Sequence, residues 1–390
     1  MLFTEFHGEK LPMLGFGTLR LPTTEDGKIY ETQVREMVKY AIEHGVNYFD
    51  TAYPYHNGDA ERVVGRVLRD YPRNSYYLAT KYPGYQIMSK GYNPAEIFEE
   101  QLLKCGVDYF DFYLLHNIYE NSISTYFDPR WGIIEYFKEQ KKLGRIKHLG
   151  FSTHAQLSGL EEILDRCGDD MEFCQIQLNY LDWTLQAAKE KYDLLTKRGI
   201  PIWVMEPVRG GKLANLSSED EAKLKALRPH ETVASWGFRF LQELPGVQMV
   251  LSGMSNMEQM RDNVKTFSAR NQLTKKEINT LLDIAEGMKD SVPCTGCRYC
   301  CDGCPQGLNI PVLLGVYNEI RIVPNINATM YIELLDDSKK PSACIACGKC
   351  TQVCPQSIDI PAEMKEFSKK LSELPSWRKI CLEREATAKK

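Results

Sequence analysis

A cysteine pattern that occurs twice, at a fixed offset of 50 positions, constrains this chain more than any other feature. Cys294, Cys297, Cys300 and Cys304 are followed by Pro305, and Cys344, Cys347, Cys350 and Cys354 by Pro355. Each set reads C-x2-C-x2-C-x3-C-P, the ligand spacing of a [4Fe–4S] cluster. The repeat extends past the ligands: Cys304-Pro-Gln-Gly-Leu-Asn-Ile-Pro311 echoes Cys354-Pro-Gln-Ser-Ile-Asp-Ile-Pro361. A zinc site would gather its ligands as two short pairs. The three-ligand run with a Cys-Pro beyond it fits iron–sulfur better, and its duplication predicts an electron-transfer module holding two [4Fe–4S] clusters.

The other three-quarters of the chain reads as a different machine. At 390 residues there is room for one large domain and one small one. With 43% hydrophobic and 26% charged residues the composition is that of a soluble globular protein. A net charge of −4 gives no reason to expect nucleic acid or an anionic membrane as partner. The start, Met-Leu-Phe-Thr-Glu-Phe-His, lacks a basic and then apolar leader, so no signal peptide is expected. No apolar run approaches the roughly 18 residues that span a bilayer. Only Cys105, Cys167 and Cys174 precede the repeats, and thiolate ligands need a reducing compartment, which predicts a cytoplasmic protein. Cys301 and Cys381 fall outside the pattern; Cys301 reads as a packed free thiol, although it could replace a neighbouring ligand.

From residue 10 to about 285, short β-rich runs alternate with amphipathic helical stretches. The runs are Leu14–Leu19, Val46–Thr51, Tyr76–Lys81, Tyr109–His116, Ile146–Ser152, Phe173–Leu178, Ile200–Met205 and Val247–Ser252. They are continuous apolar stretches, as expected of parallel strands buried on both faces. Helical patterns between them often end in Gly, as at His44-Gly45 and Arg198-Gly199, where a left-handed cap is cheap. Eight strands with interleaved helices match the size of a (β/α)8 TIM barrel. A doubly wound sheet is the alternative, but no G-x-G-x-x-G follows the first strand. The predicted division is a barrel over residues 1–285 and a cluster module over 286–390, entered after a helix over 274–290. In the module, Asn309 and Asp359 stand before Ile-Pro pairs that resemble helix starts. The long spacers predict a small α-helical ferredoxin-like domain and not a compact, hairpin-built one.

In such a barrel, function belongs at the C-terminal ends of the strands. Asp50 closes the second, with Tyr55 five residues on; Lys81 closes the third and His116 the fourth. Their types suit carbonyl reduction. A tyrosine is a poor acid or base at neutral pH, and a Lys near its oxygen is expected to lower its pKa toward the working range. Asp50 would hold the Lys81 ammonium, and His116 would orient a carbonyl or share the proton.

On these residues the chain resembles an aldo/keto reductase. The matching stretches are Phe49-Asp-Thr-Ala-Tyr-Pro-Tyr55, Ala60-Glu61, Thr80-Lys81, Leu114-Leu-His116, Gly150-Phe-Ser152 and Gln175. Glu206-Pro-Val-Arg-Gly-Gly211 and the stretch from Ser252 to Asn263 also match. The resemblance implies a tetrad of Asp50, Tyr55, Lys81 and His116, with Tyr55 the proton donor as hydride passes from NADP (or NAD) to an aldehyde or ketone. It implies carboxamide contacts from Ser152 and Gln175, and further cofactor contacts from Met205, Pro207, Gly253, Gln259 and Asn263. Several positions depart from the family pattern. Thr153 replaces an Asn, Met205 an aromatic that stacks on the ring, and Gly253 and Gln259 a Lys and an Arg at the 2′-phosphate. Arg261 is a candidate substitute. Barrel and module together resemble the iron–sulfur branch of this family. By the rule of two-cluster ferredoxins, in which the fourth Cys serves the other cluster, Cys294, Cys297, Cys300 and Cys354 would hold one cluster. Cys344, Cys347, Cys350 and Cys304 would hold the second, so the loss of one ligand would weaken both.

Other residues carry plainer readings. Tyr53 is expected to line the pocket and Trp183 to be half core, half substrate wall. His148, His154 and His230 read as structural. Arg209-Gly-Gly211 reads as a phosphate-approaching turn or a plain one. The loop 117–130, with Tyr119, Tyr126 and Phe127, is expected to shape the substrate pocket. The leading expectation is a nicotinamide-dependent oxidoreductase for a carbonyl/alcohol pair, with clusters that relay single electrons to or from an electron-transfer protein partner or hold a redox-sensitive cap in place. Its rival is an iron–sulfur electron carrier or redox sensor whose barrel binds nicotinamide with little turnover. A hydride carries two electrons and a cluster one, so direct exchange would need a flavin, for which no motif is present.

Overall fold

The computed structural model describes residues 1–390 except 121, 289–290, 323–330, 375 and 377–390. Cys381, Asp290 and Asn121 therefore lie outside the described residues. The chain divides into two compact units, Met1–Glu286 and Gly287–Lys390.

Two strands precede the barrel: β1 (Phe3–Phe6) and β2 (Glu9–Pro12) form an antiparallel hairpin. It went unread in the sequence because charged and apolar residues are mixed over only a few positions. The barrel strands follow: β3 (Leu14–Gly17), β4 (Tyr48–Asp50), β5 (Tyr77–Tyr82), β6 (Phe110–Leu115), β7 (Ile146–Thr153), β8 (Cys174–Gln177), β9 (Ile202–Met205) and β10 (Val247–Ser252). They close in the order β10-β3-β4-β5-β6-β7-β8-β9, with every neighbour parallel. Each expected strand is present, and β3 and β6 are buried at every residue, which is why they read as unbroken apolar runs.

The hairpin seals one end. Phe6 inserts its ring among Trp203, Phe112 and Phe173, with centroids 4.9, 5.8 and 6.2 Å away. Aromatic burial of this kind contributes area plus about 0.5–1.5 kcal/mol per edge-to-face pair. With that end plugged, the open mouth is the one formed by the strand C-termini, where β4, β5 and β6 deliver Asp50, Lys81 and His116.

Helices wrap the barrel where the amphipathic patterns predict them, including Glu31–Glu43, Asp59–Leu68, Pro94–Cys105 and Leu157–Cys167. The Pro94–Cys105 helix starts on Asn93, whose side chain accepts from the Ala95 and Glu96 N–H groups, and ends on Gly106 at φ 65°. It packs so closely on the Asp59–Leu68 helix that a Cβ at Gly65 would overlap the Cys105 backbone. Among the described residues no helix is long and apolar enough to cross a membrane.

The second unit is helical, and its repeat is structural as well as sequential. Short helices Tyr299–Asp302 and Lys349–Gln352 lie at the same offset as the longer Ile310–Ile322 and Ile360–Glu373. Asp359 caps the last of these through the Ala362 N–H, with Pro361 in its first turn. The core pairs off in the same way: Cys300 with Cys350, Leu308 with Ile358, Ile310 with Ile360, Leu314 with Met364. Tyr317 and Phe367 stack on one another at 5.0 Å. Backbone conformation repeats even where residue types change. Gly296 and Ala346, Arg298 and Gly348, and Gly307 and Ser357 all take positive φ. Holding non-glycine residues there costs of order 1 kcal/mol each, a strain characteristic of ligand-binding loops.

Candidate active site

Asp50 and Lys81 meet inside the mouth. Lys81 Nζ lies 2.6 Å from Asp50 Oδ1 and donates to the Thr51 carbonyl at 2.7 Å, with the lysine fully buried. Burial raises the pKa of Asp50 and lowers that of Lys81, and each partner's charge opposes the shift of the other. Their mutual attraction therefore opposes the neutralisation that burial would impose on either group alone.

Tyr55 hangs over this pair from a short turn, Tyr55–Gly58. Three consecutive left-handed residues, His56 (φ 49°), Asn57 (φ 57°) and Gly58 (φ 91°), bend the chain there and tuck the ring inward. Lys81 Nζ is 5.1 Å from the Tyr55 ring centroid, and the His116 ring stands edge-on to it at 6.2 Å. All four strand-end residues are thus brought together. The pKa of Tyr55 does not follow the expectation. Burial pushes it well above 10, and the Asp50 carboxylate and the Tyr85 hydroxyl add to the rise. The ammonium that was expected to lower it is already neutralised by Asp50. The consequence is a hydroxyl that keeps its proton.

His116 follows β6. Its N–H donates to the Tyr82 carbonyl at 3.0 Å, and its own carbonyl accepts from the Tyr126 hydroxyl. Burial, then the nearby Lys81 and His154 charges, depress its pKa well below 6.5, so the imidazole is neutral. Its Nδ1 is buried with no hydrogen-bond partner. Tyr126 is buried and committed to the His116 and Tyr82 carbonyls. It braces the histidine, and its hydroxyl is spent on backbone carbonyls. Phe127 is likewise engaged, under the Arg166 guanidinium at 4.0 Å. Tyr53 bonds Glu100 through its hydroxyl at 2.9 Å, beneath Lys104, and is fixed to the Pro94–Cys105 helix. Tyr85, unremarked in the sequence, presents its ring to His116 at 5.4 Å.

Behind Lys81 lies a buried polar layer. Glu61 accepts from Thr80 at 2.6 Å and from Gln101 at 2.7 Å, and Gln101 also donates to the Lys81 carbonyl at 3.0 Å. This anchors the backbone on both sides of the lysine.

On the far side of the mouth, Ser152 and Gln175 are register partners on β7 and β8. Ser152 Oγ accepts the Asn117 N–H, and Gln175 Oε1 is buried without a partner. A carboxamide N–H2 would satisfy that oxygen, so the pair fits a nicotinamide. Thr153 spends its hydroxyl on the Ile118 carbonyl and the Ala155 N–H. Met205 ends β9 half-buried. Pro207, Gly253, Gln259 and Asn263 line one cavity of about 700 Å³ beyond β9 and β10, together with Arg20 and Glu206. Arg209 does not enter it: its side chain is buried against Asp182 at 3.1 Å. Arg261 lies over Tyr40, away from the cavity lining.

In the second unit, Cys304, Cys344, Cys347 and Cys350 line a single apolar cavity with Leu308, Ile310 and Met364. The fourth cysteine of the first run thus joins the three leading cysteines of the second. Cys300 lies within electrostatic reach of Cys294 and Cys297. The Gly296 N–H points at Cys294 Sγ from 3.4 Å, the kind of donor that steadies cluster thiolates. Cys301 packs on the module core beside Cys300.

Comparison with known proteins agrees with both halves. Residues 13–286 match the model of the aldo/keto reductase family, and residues 293–358 that of a 4Fe-4S dicluster domain. An uncharacterized oxidoreductase, YqkF, of Bacillus subtilis is 27% identical over 69% of this chain and 90% of its own. The NADH-specific methylglyoxal reductase of Escherichia coli is 23% identical over 63% of this chain and 85% of its own. The aldo-keto reductase AKR11C1 from Bacillus halodurans, in its holo form, superimposes with a TM-score of 0.59 at 26% identity, covering 73% of this chain and 96% of that one.

Proposed function

The chain belongs to the aldo/keto reductase family and carries a C-terminal 4Fe-4S domain; from that premise we propose that its barrel reduces an aldehyde or ketone, or oxidises the alcohol, with a nicotinamide cofactor. A reduced nicotinamide, when bound, supplies the hydride. The chain's residues do the rest. Ser152 and Gln175 orient the carboxamide, and the unpartnered Gln175 Oε1 is the observation that favours this placement. Tyr55 gives its hydroxyl proton to the carbonyl oxygen as negative charge develops there. A raised pKa keeps that proton in place until it is needed. Neutral His116 hydrogen-bonds the carbonyl through its unpartnered edge. Lys81 and Asp50 fix the polar floor beneath Tyr55. The convergence of these four side chains at the open mouth carries the reading.

The module would hold two [4Fe–4S] clusters with crossed ligands, Cys294, Cys297, Cys300 and Cys354 for one and Cys344, Cys347, Cys350 and Cys304 for the other. The cavity shared by Cys304 with the Cys344 run supports the crossing, and the repeated positive-φ loops support a second cluster of the same kind. Such clusters relay single electrons, here to or from a protein partner, and thiolate ligands suit a reducing cytoplasm. A second reading, a sensor or carrier with little turnover, is favoured by Thr153, whose hydroxyl is already committed. Steady-state reduction of a panel of aldehydes, ketones and quinones under strict anaerobiosis separates the two. Nicotinamide-dependent turnover supports the reductase, and its absence across the panel leaves the sensor.

A further inference from the structure

The cavity beyond β9 and β10 holds a charge pattern that the sequence did not disclose. Among its lining residues only Arg20 and Glu206 carry charge, and they are paired at 2.9 Å, with the Glu206 side chain 9% exposed. Glu206 sits at φ 55°, a strained conformation that turns the chain into the cavity wall. Its Oε2 is buried with no hydrogen-bond partner, so it offers an acceptor to a hydroxyl and repulsion to a phosphate.

The helix Met257–Ser268 starts beside this cavity and would ordinarily offer N–H groups and a positive dipole end to an anion. Here the Asn256 cap takes one of those donors, the Gln259 N–H. Asn256 Oδ1 accepts the Gln259 N–H at 2.9 Å, and Gln259 Oε1 accepts the Ser255 N–H at 2.7 Å. Glu258 adds a negative charge to the first turn, and Arg261 lies over Tyr40. One cation, already neutralised, is all the lining offers. A dinucleotide diphosphate can draw on that arginine. A further phosphate monoester, carrying about −1.5 to −2 near neutral pH, finds no counter-charge.

We propose that this cavity makes the chain select NADH over NADPH, with Glu206 and the uncharged Gly253 and Gln259 excluding the 2′-phosphate. The inference rests on the nicotinamide reading above and goes beyond it. Gly253 is open to substitution: a Cβ there would meet Arg20 Cβ at an ordinary 3.5 Å.

Calorimetric titration of the anaerobically prepared full chain with NADH and with NADPH tests it without a substrate. NADH should bind at least about tenfold more tightly, the scale on which one missing ionic partner shifts binding. Gly253→Lys combined with Gln259→Arg should tighten NADPH by about tenfold and NADH by far less. Glu206→Gln should narrow the NADH preference by releasing Arg20, and it decides the matter if the double variant does not fold. NADPH binding as tightly as NADH to the unaltered chain overturns the selectivity and leaves the nicotinamide reading intact. Binding of neither dinucleotide overturns both.

Discussion

Replacing Asp50 by Asn removes the counter-charge of a lysine that is 0% exposed. At the 2.6 Å separation of the pair the gross attraction is roughly 6 kcal/mol for an effective dielectric of about 20. The Thr51 carbonyl still accepts from the ammonium, and Lys81 can escape part of the penalty by losing its proton. The net destabilisation should therefore fall near the 3–5 kcal/mol typical of breaking one side of a buried pair, or about 3. The pH dependence carries a second signature. Burial already lowers the Lys81 pKa, and without Asp50 only the Glu61 charge opposes that shift. The folded variant would bind fewer protons than the unfolded chain from the depressed pKa up to about 10.4. Its stability should accordingly rise with pH across that window and be lowest below it. Urea unfolding followed by tryptophan fluorescence reads this out, since Trp131, Trp183, Trp203 and Trp236 all lie in the barrel unit. Exchanging both partners, Asp50→Leu with Lys81→Met, should recover most of the loss. A single variant within about 1 kcal/mol of the parent, with a flat pH profile, would refute the buried pair.

Three further outcomes are expected. Glu172 is pushed up by burial but pulled down to a pKa of about 2 by His148, Lys141 and the Leu149 N–H. Its stabilisation is complete above about pH 4.5 and fades as pH falls toward 2. Glu172→Gln should remove at most about 3 kcal/mol near pH 6 and flatten the acid limb of thermal unfolding between those values. Gly65→Ala forces a methyl against the Cys105 backbone and should cost about 1–3 kcal/mol with no change in dinucleotide affinity, seen by denaturation and titration together. If the cluster ligands cross, Cys304→Ser with Cys344→Ser removes two ligands from one cluster and none from the other, whereas Cys304→Ser with Cys294→Ser takes one from each. Iron and sulfide analysis should find more iron in the first pair, and the reverse order would favour uncrossed ligands.

The barrel was legible because its strands, buried on both faces, have to be unbroken apolar runs, and few other folds write eight of them between amphipathic helices. The helix Ser218–Leu227 was missed because its residues are largely polar and carry almost no amphipathic pattern. The helix Met257–Ser268 was absorbed into a motif and not read as a helix. Residues at strand ends could be named in advance, since the topology alone delivers Asp50, Lys81 and His116 to one mouth. What surrounds them could not. The direction of the Tyr55 shift depends on burial and on Asp50 neutralising Lys81 first, and both are three-dimensional quantities. That Tyr126 braces His116 could not be read from its loop. The pairing of Arg20 with Glu206 joins positions 186 residues apart, beyond the reach of any local pattern.

The most direct test of the account follows deuterium from 4-deuterated NADH into the alcohol product under anaerobic conditions, for the parent chain and for Tyr55→Phe. The account predicts label in the alcohol from the parent, and a rate lower by about 10²–10⁴-fold when the Tyr55 proton is removed, with dinucleotide affinity retained. Label transfer at the parental rate in Tyr55→Phe, or no transfer from the parent to any carbonyl, would contradict it.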